Sequence, residues 1–284
     1  MTTTSGAVEV ERSPGDFAGE VAFGLELARR AGVLLMERYE RLEQIDYKSA
    51  RDVVTEADHL SEALIVAAIR ERYPDDAILA EETGEHRAVA GEAPTSGSGR
   101  VWIVDPLDGT VNYANGIPVF CVSIALVIDG APVVGVIVDP TRHESFAATS
   151  DGPATLDGRR VTVSDKEKLS DFVISMALSG RAATTRARNV RRQIRIPRSM
   201  GSAALALAYV ANGRFDAFVQ QGGLSAWDVA AAGLIAERGG ARVSAMDGGP
   251  WFDLAHGPRT IGILAAPPVH HVTLLGLVGQ GRGT

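Results

Sequence analysis

A chain of 284 residues is long enough to bury a full core, as one large domain or two ordinary ones. Its 45% hydrophobic and 22% charged residues are those of a water-soluble globular protein, and a formal charge of −7 argues against nucleic acid, whose phosphates reward a basic surface. No apolar stretch is long enough to span a bilayer, residues 1–16 lack the pattern of a secretory signal, and one cysteine excludes an intrachain disulfide, so the cytoplasm is the expected compartment and no membrane partner is expected.

Phe17, Val21, Leu25, Ala28, Leu35 and Tyr39 recur at helical spacing and predict a long amphipathic first helix. Residues 48–52 are polar and are expected to form a mobile loop. Thr55-Glu56-Ala57-Asp58 is a capping-box pattern opening a second helix that runs to about Arg72 and is stopped by Pro74. A short apolar run at 77–80 ends on Glu81-Glu82, and residues 83–99, rich in Gly, Ala and Ser, read as an exposed loop. The apolar run 101–104 reads as a buried strand. Residues 120–128 and 132–138 flank Asp129-Gly130, a strong hairpin signal, with a third strand at 143–148 and a second turn at Asp157-Gly158 before 159–163. From Leu169 the pattern changes to strand and helix alternation, at 172–177, 202–211, 215–219, 229–238 and 260–265. The expected fold is therefore α/β, with residues 1–160 as an α+β half built on an antiparallel sheet and residues 161–284 as an α/β half.

The segment Asp105-Pro106-Leu107-Asp108-Gly109-Thr110 carries the chemistry. Pro106 holds Asp105 extended and turns the chain, so that Asp105 and Asp108 should converge. Two carboxylates about 4 Å apart repel by roughly 4 kcal/mol at an effective dielectric of about 20. A cation must sit between them, or one must hold a proton. Gly109 and Thr110 offer backbone N–H groups, a seat for an anion. Asp-Pro and Asp-Gly are also ordinary turn dipeptides. What separates a site from a turn is that acids recur at other element ends, at Glu81-Glu82 and at Asp228, which is expected to be the N-cap of the run from Val229. Carboxylates for a hard cation beside amides for a phosphate suggest a metal-dependent phosphatase.

The run from Asp105 to Tyr113 resembles the first signature of the inositol monophosphatase family, within the group that includes fructose-1,6-bisphosphatases and phosphoadenosine phosphatases. Trp227-Asp228-Val229-Ala230-Ala231-Ala232-Gly233, followed by Glu237-Arg238-Gly239-Gly240, is similar to the second, and the likeness extends to the segment from Gly248 to Leu254. The resemblance implies a layered αβαβα sandwich of the sugar-phosphatase type, a homodimer, and lithium sensitivity. It implies two to three Mg²⁺ ions: one on Glu81, Asp105 and the Leu107 carbonyl, a second on Asp105, Asp108 and Asp228, and a third, weaker one resting mainly on water and Glu81. The water's proton would pass to Asp58 and Thr110, with Glu81 close by. Four carboxylates and a phosphate dianion balance three such ions. Asp108, Gly109, Thr110, Gly201, Ser202 and Ala203 would meet the phosphate or substrate. Gln220 and Gln221 stand where inositol phosphatases of this family usually carry an acid.

Other phosphatase chemistries fit poorly: Cys121 lacks the arginine six positions on that a cysteine phosphatase needs, and is expected in the core, while Asp105 and Asp108 are three apart rather than the two of haloacid dehalogenases. His270-His271, after Pro267-Pro268, is expected on the surface. Arg181, Arg186, Arg188, Arg191, Arg192, Arg195 and Arg198 form a cluster that reads either as a solvated helix face or as a second anion site. The expected function is a Mg²⁺-dependent phosphomonoesterase on a small polyol or sugar phosphate, led by inositol 1-phosphate. Alternatives are fructose 1,6-bisphosphate, phosphoadenosine phosphate, NADP or histidinol phosphate as substrate, and, of another class, a weakly active binding or regulatory protein on the same fold.

Overall fold

The computed structural model describes residues 16–41, 45–49, 52–86, 99–178 and 183–278. The predicted first helix is α1 (Ala18–Arg38), whose Leu27, Ala28, Ala31 and Leu35 make a buried stripe. Next, β1 (Ile45–Ser49) and β2 (Asp52–Thr55) pair antiparallel, so Lys48, Ser49 and Asp52 belong to a hairpin rather than to the expected loop, of which Ala50 and Arg51 lie outside the described residues. The β-branched run Val53-Val54-Thr55 favours strand here, and the polar partner strand hid the pairing. The capping box opens α2 (Glu56–Arg72) as predicted. Then β3 (Ala77–Ala80) pairs with β4 (Gly84–His86), which takes the first part of the expected loop; residues 87–98 of that loop lie outside the described residues.

The buried strand is longer than predicted, β5 (Arg100–Asp108), and leads into the short α3 (Thr110–Ala114). The hairpin is β6 (Cys121–Ile128) with β7 (Ala131–Asp139), followed by β8 (Glu144–Thr149), β9 (Thr155–Leu156) and β10 (Arg159–Arg160). The second half runs β11 (Val173–Ala177), α4 (Ala183–Arg191), β12 (Ile196–Arg198), α5 (Ala203–Ala211), β13 (Ala217–Leu224), α6 (Ala226–Arg238), β14 (Arg242–Ala245), β15 (Ile261–Ala266) and α7 (Pro268–Val278).

Two sheets organise these elements. The larger has the order β10-β9-β8-β7-β6-β5-β3-β4 and is antiparallel except for β3 beside β5; the smaller has the order β12-β11-β13-β15-β14 and is parallel only around β11. Side-chain alternation along β5 shows the layering, because successive residues of a strand point to opposite faces. Trp102 and Val104 join Leu27, Leu35, Ile65 and Ile69 of α1 and α2, whereas Val101 and Ile103 join the buried residues of α5 and α6. On the far side of α5 and α6, Phe218, Ile263 and Ala265 of the smaller sheet close that same core, and Val219, Leu264 and Ala266 face Val190 of α4 and Leu274 of α7. The order of layers is therefore α1/α2, large sheet, α5/α6, small sheet, α4/α7: the expected αβαβα sandwich.

One surface expectation fails. His271 is fully buried, with Nε2 3.0 Å from Ser244 Oγ, and His270 packs edge-on against Phe172. Pro268, favourable at the first position of a helix, starts α7 just before the pair, and His271 falls on the helix's buried side with Leu274 and Val278, while His270 stays partly exposed with Nε2 3.0 Å from the Lys166 carbonyl.

Candidate active site

Asp105 continues the odd-numbered series of β5 that faces α5 and α6, and it is buried at the strand's C-terminal end. It lies opposite Ser123 of β6, whose Oγ donates to the Trp227 carbonyl at 3.3 Å, and so the start of α6 is drawn to this point. Simple alternation would send Asp108 to the other face. However, Asp105 pairs with Ser123 and Asp108 with Cys121, so three steps on β5 match two on β6. That extra residue is a bulge, and one residue of slip exchanges the two faces. Leu107 therefore joins the α1/α2 core and Asp108 turns to the side of Asp105. Asp228 enters from α6, with its Oδ2 accepting from the Ser225 N–H at 2.6 Å. The N-cap is Ser225 rather than Asp228, which is the third residue of a capping box. Carboxylate oxygens of Asp105, Asp108 and Asp228 lie within 4.8 Å of one another.

Burial and mutual repulsion leave these acids reluctant to ionise together. Loss of water raises the Asp105 carboxyl well above the usual range, and the charges of Glu81, Asp108 and Asp228 raise it further. Asp228 is pushed up to about 7, by burial and then by Asp108, against the opposing effects of the Ser225 N–H and Arg259. Glu81 follows β3, with its N–H on the Val104 carbonyl at 3.2 Å, which sets it beside the end of β5. An all-oxygen, multiply acidic set of this kind fits a hard divalent cation such as Mg²⁺ and not a soft one. A cation here would relieve the strain that the raised carboxyl groups record.

Beside the acids is a pair built by α2 and α3. Asp58 is buried; its Oδ2 accepts from the Thr55 N–H and Oγ1, each at 2.7 Å, and its Oδ1 accepts from Thr110 Oγ1 at 3.0 Å. Thr110 Oγ1 also lies 2.9 Å from the Leu107 carbonyl. Burial raises Asp58 to about 6, despite the opposing hydrogen bonds from Thr55. Gly109 precedes Thr110 at φ 99°, where a Cβ would come within 2.9 Å of the Val119 carbonyl, so the turn requires glycine.

The third wall is the N-terminus of α5. Asp108 accepts from the Ala203 N–H at 3.1 Å, the Ala204 N–H at 2.9 Å and the Ser202 hydroxyl, thereby satisfying amides that a helix start leaves open. Cys121 is buried as expected, but directly behind this carboxylate, with Sγ 3.7 Å from Asp108 Oδ2. Gly201, at φ 78°, faces Asn112, whose Nδ2 donates to the Val119 and Met200 carbonyls and ties α3 to this loop.

A cup of about 170 Å³, lined by Glu81, Asp105, Leu107, Asp108, Gly109, Thr110 and Asp228, shares its rim with a wider cavity of about 630 Å³. Gly201, Ser202, Ala203 and Gln220 line the wider cavity; Gln221, one residue out of phase on β13, does not. The arginine cluster stands elsewhere. Arg188, Arg191 and Arg192 are exposed on or just after α4, Arg195 pairs with Asp171 at 3.0 Å, and Arg181 lies outside the described residues. Among the described residues the cavity's basic side chain is Arg259, which the sequence reading missed; its N–H is held by Ser225 Oγ at 2.9 Å. Also missed were Ser61, whose Oγ donates to the Pro106 carbonyl at 3.0 Å, and Glu62, buried one residue further on. The only sequence signal for them was their place on the inner face of α2, three and four residues after Asp58.

Comparison with known proteins agrees with this geometry. Residues 20–280 match the inositol monophosphatase family. An inositol-1-monophosphatase of Mesorhizobium japonicum is 41% identical, over 79% of this chain and 85% of its own. The Nus factor SuhB of Pseudomonas aeruginosa is 38% identical, over 80% of this chain and 86% of its own. Among solved structures, the extragenic suppressor protein SuhB of Bartonella henselae superposes with a TM-score of 0.83 at 32% identity, covering 93% of this chain and 99% of that one.

Proposed function

This chain belongs to the inositol monophosphatase family, and we propose that it is a Mg²⁺-dependent phosphomonoesterase of small polyol or sugar phosphates, with inositol 1-phosphate as its leading substrate. The observation that carries this reading is the convergence of Asp105, Asp108 and Asp228 in a cup that opens into a cavity lined by polar groups. Glu81, Asp105 and the Leu107 carbonyl would hold a first Mg²⁺, and Asp105, Asp108 and Asp228 a second, with Glu81 supporting a third. Bound there, Mg²⁺ neutralises charge on the phosphoryl group in transit and makes an attacking water more acidic.

The chain's own groups do the rest. Thr110 Oγ1 accepts a hydrogen bond from the water while donating to Asp58, which takes up the proton; Thr55 holds Asp58 in place for this. The N–H groups of Gly109 and Thr110 seat the phosphate. Gly201, Ser202, Ala203 and Gln220 border the alcohol that leaves. Residues 1–160 supply the general base and most of the acids, and 161–284 supply Asp228 and the substrate wall. We take the protein to be a cytoplasmic homodimer without nucleic-acid or membrane partners.

The test is phosphate release from inositol 1-phosphate with and without Mg²⁺, in wild type and Asp105→Asn. We expect turnover only with Mg²⁺, and a loss of several orders of magnitude in the variant, which removes a charge shared by both ions. Near-native turnover of Asp105→Asn at saturating Mg²⁺ would refute the assignment. A second reading, a binding or regulatory role, is favoured by relatives that carry the name Nus factor. Absence of Mg²⁺-dependent phosphate release from any ester would favour it.

A further inference from the structure

Glu62 is a buried carboxylate to which the chemistry above gives no part. It is 1% exposed and points from the inner face of α2 at the turn that follows β3. Its Oε2 accepts from the Glu82 N–H at 2.7 Å; its Oε1 accepts from the Thr83 N–H at 2.8 Å and the Thr83 hydroxyl at 2.6 Å. A charged acceptor that is shielded from water and fully engaged makes strong hydrogen bonds, and these three fall on two successive residues. They fix the chain immediately after Glu81. On its other side, Glu81 is fixed by its N–H on the Val104 carbonyl, at the level of β5 where the acids begin. Glu81 is thus clamped between a strand of the large sheet and a helix, and its charge bears on Asp105 more than that of any other side chain. Glu82, held by the same clamp, stands close enough to Asp58 to raise it.

We propose that Glu62 is a positioning residue: it holds the Glu81-Glu82 turn in the one orientation that presents Glu81 to the cation, and so sets the affinity for Mg²⁺. The inference rests on the proposed metal-dependent function, but it concerns binding of the ion rather than turnover. Without the clamp, Glu81, Glu82 and Thr83 would be a three-residue turn held only at its ends, by the Ala80–Gly84 pairing of β3 with β4 and the Glu81 N–H on the Val104 carbonyl, and the Glu81 side chain could turn away from Asp105. Each ion bound would then first have to order the turn. The loss would appear in metal affinity and not in the chemistry once the ion is in place.

The experiment compares wild type, Glu62→Gln and Thr83→Val. Gln is nearly isosteric but places an NH₂ where an acceptor is needed, so one of the two backbone N–H groups loses its partner. Thr83→Val removes only the hydroxyl, from an exposed position, and guards against a Glu62 variant that does not fold. Mg²⁺ is titrated into metal-free protein and followed by the rise in melting temperature; phosphate release from an aryl phosphate is measured over the same Mg²⁺ range. We expect the Mg²⁺ midpoint in both readouts to rise about 10–100-fold in Glu62→Gln, the usual effect of losing a group that orients a metal ligand. It should rise less in Thr83→Val, with kcat at saturating Mg²⁺ close to wild type in both. An unchanged Mg²⁺ midpoint in both variants, even with a lower melting temperature, would overturn the proposal and leave Glu62 a structural residue. A kcat that saturating Mg²⁺ does not restore would also overturn it. If no ester is hydrolysed by wild type, the functional reading fails, while the melting titration still decides the role of Glu62.

Discussion

Thr110 Oγ1 has one proton and two acceptors in reach, Asp58 Oδ1 at 3.0 Å and the Leu107 carbonyl at 2.9 Å. A cation on the Leu107 carbonyl, as proposed, would leave the hydroxyl to Asp58 and its lone pair to a water in the cup. Thr110→Ala should therefore lower kcat by about 10²–10⁴-fold, the range for losing general-base assistance, while the Mg²⁺ midpoint moves by no more than a few-fold. Thr110→Ser should keep most of the rate. Full rescue of Thr110→Ala by extra Mg²⁺ would show that the side chain only supports the cation. Gln220 poses the equivalent question on the leaving-group side. It lines the wider cavity, with its Nε2 3.5 Å from the Gly222 carbonyl, too long and loose a contact to fix the amide. Gln220→Glu should raise kcat/KM for inositol 1-phosphate relative to an aryl phosphate by about 10-fold or more, because a charge-assisted hydrogen bond to a hydroxyl is worth roughly 1.5–3 kcal/mol and the aryl group has no hydroxyl to bond. An unchanged ratio would remove Gln220 from substrate recognition. Gln221 supplies the matched control, since it lies off the cavity wall.

Elements whose causes are local could be read from the sequence. The capping box at Thr55 and Asp58, the Asp129-Gly130 hairpin and the apolar alternation of β6 and β7 each depend on residues within a few positions, and each forms as expected. What could not be read depends on a partner. The bulge that turns Asp108 to the side of Asp105 is defined by β6, not by anything between Asp105 and Asp108. Convergence of the two acids was anticipated from Pro106, but the turn imagined there is in fact the continuation of β5. Asp228 was placed three residues too early in its helix, although Ser225-Ala226-Trp227-Asp228 has the same form as the box recognised at Thr55. Glu62 gave no signal beyond its place four residues after Asp58, because a glutamate on a helix is ordinarily solvated; only the approach of the Glu82-Thr83 turn, 20 residues away, makes it a buried acceptor. The same holds for His271, whose neighbour Ser244 lies 27 residues earlier.

Taken across the whole chain, the site is a seam. Asp58, Glu81, Asp105 and Asp108 come from the first half and Asp228 from the second, and the core between the two sheets is shared by both. Repulsion among the acids therefore acts against the assembly of the molecule itself, and a cation bound among them would offset it, so stability is expected to depend on pH and Mg²⁺ together. For Asp228 the folded-state pKa is raised from 3.8 to about 7. A carboxyl with a raised pKa binds its proton more tightly when folded, so the stability this group contributes is fully present below about pH 4 and is lost as pH rises through about 7. Asn at 228 cannot ionise, yet its carbonyl can still accept from the Ser225 N–H. In EDTA, the melting temperature of Asp228→Asn should accordingly match wild type near pH 4 and exceed it by several degrees at pH 8, each 1 kcal/mol being worth about 2–4 °C in a chain of this size. Saturating Mg²⁺ should raise wild type more than the variant and so narrow the gap at pH 8, because a ligand at about 100 times its Kd adds roughly 2.7 kcal/mol to the protein that binds it, and the variant has lost one of the charges that bind it. Melting curves of both proteins at the two pH values, with EDTA and with Mg²⁺, give the full comparison. A variant less stable than wild type at pH 8 in EDTA would show that Asp228 is held by its hydrogen bond rather than strained by its neighbours, and that repulsion among the acids does not weaken the metal-free fold.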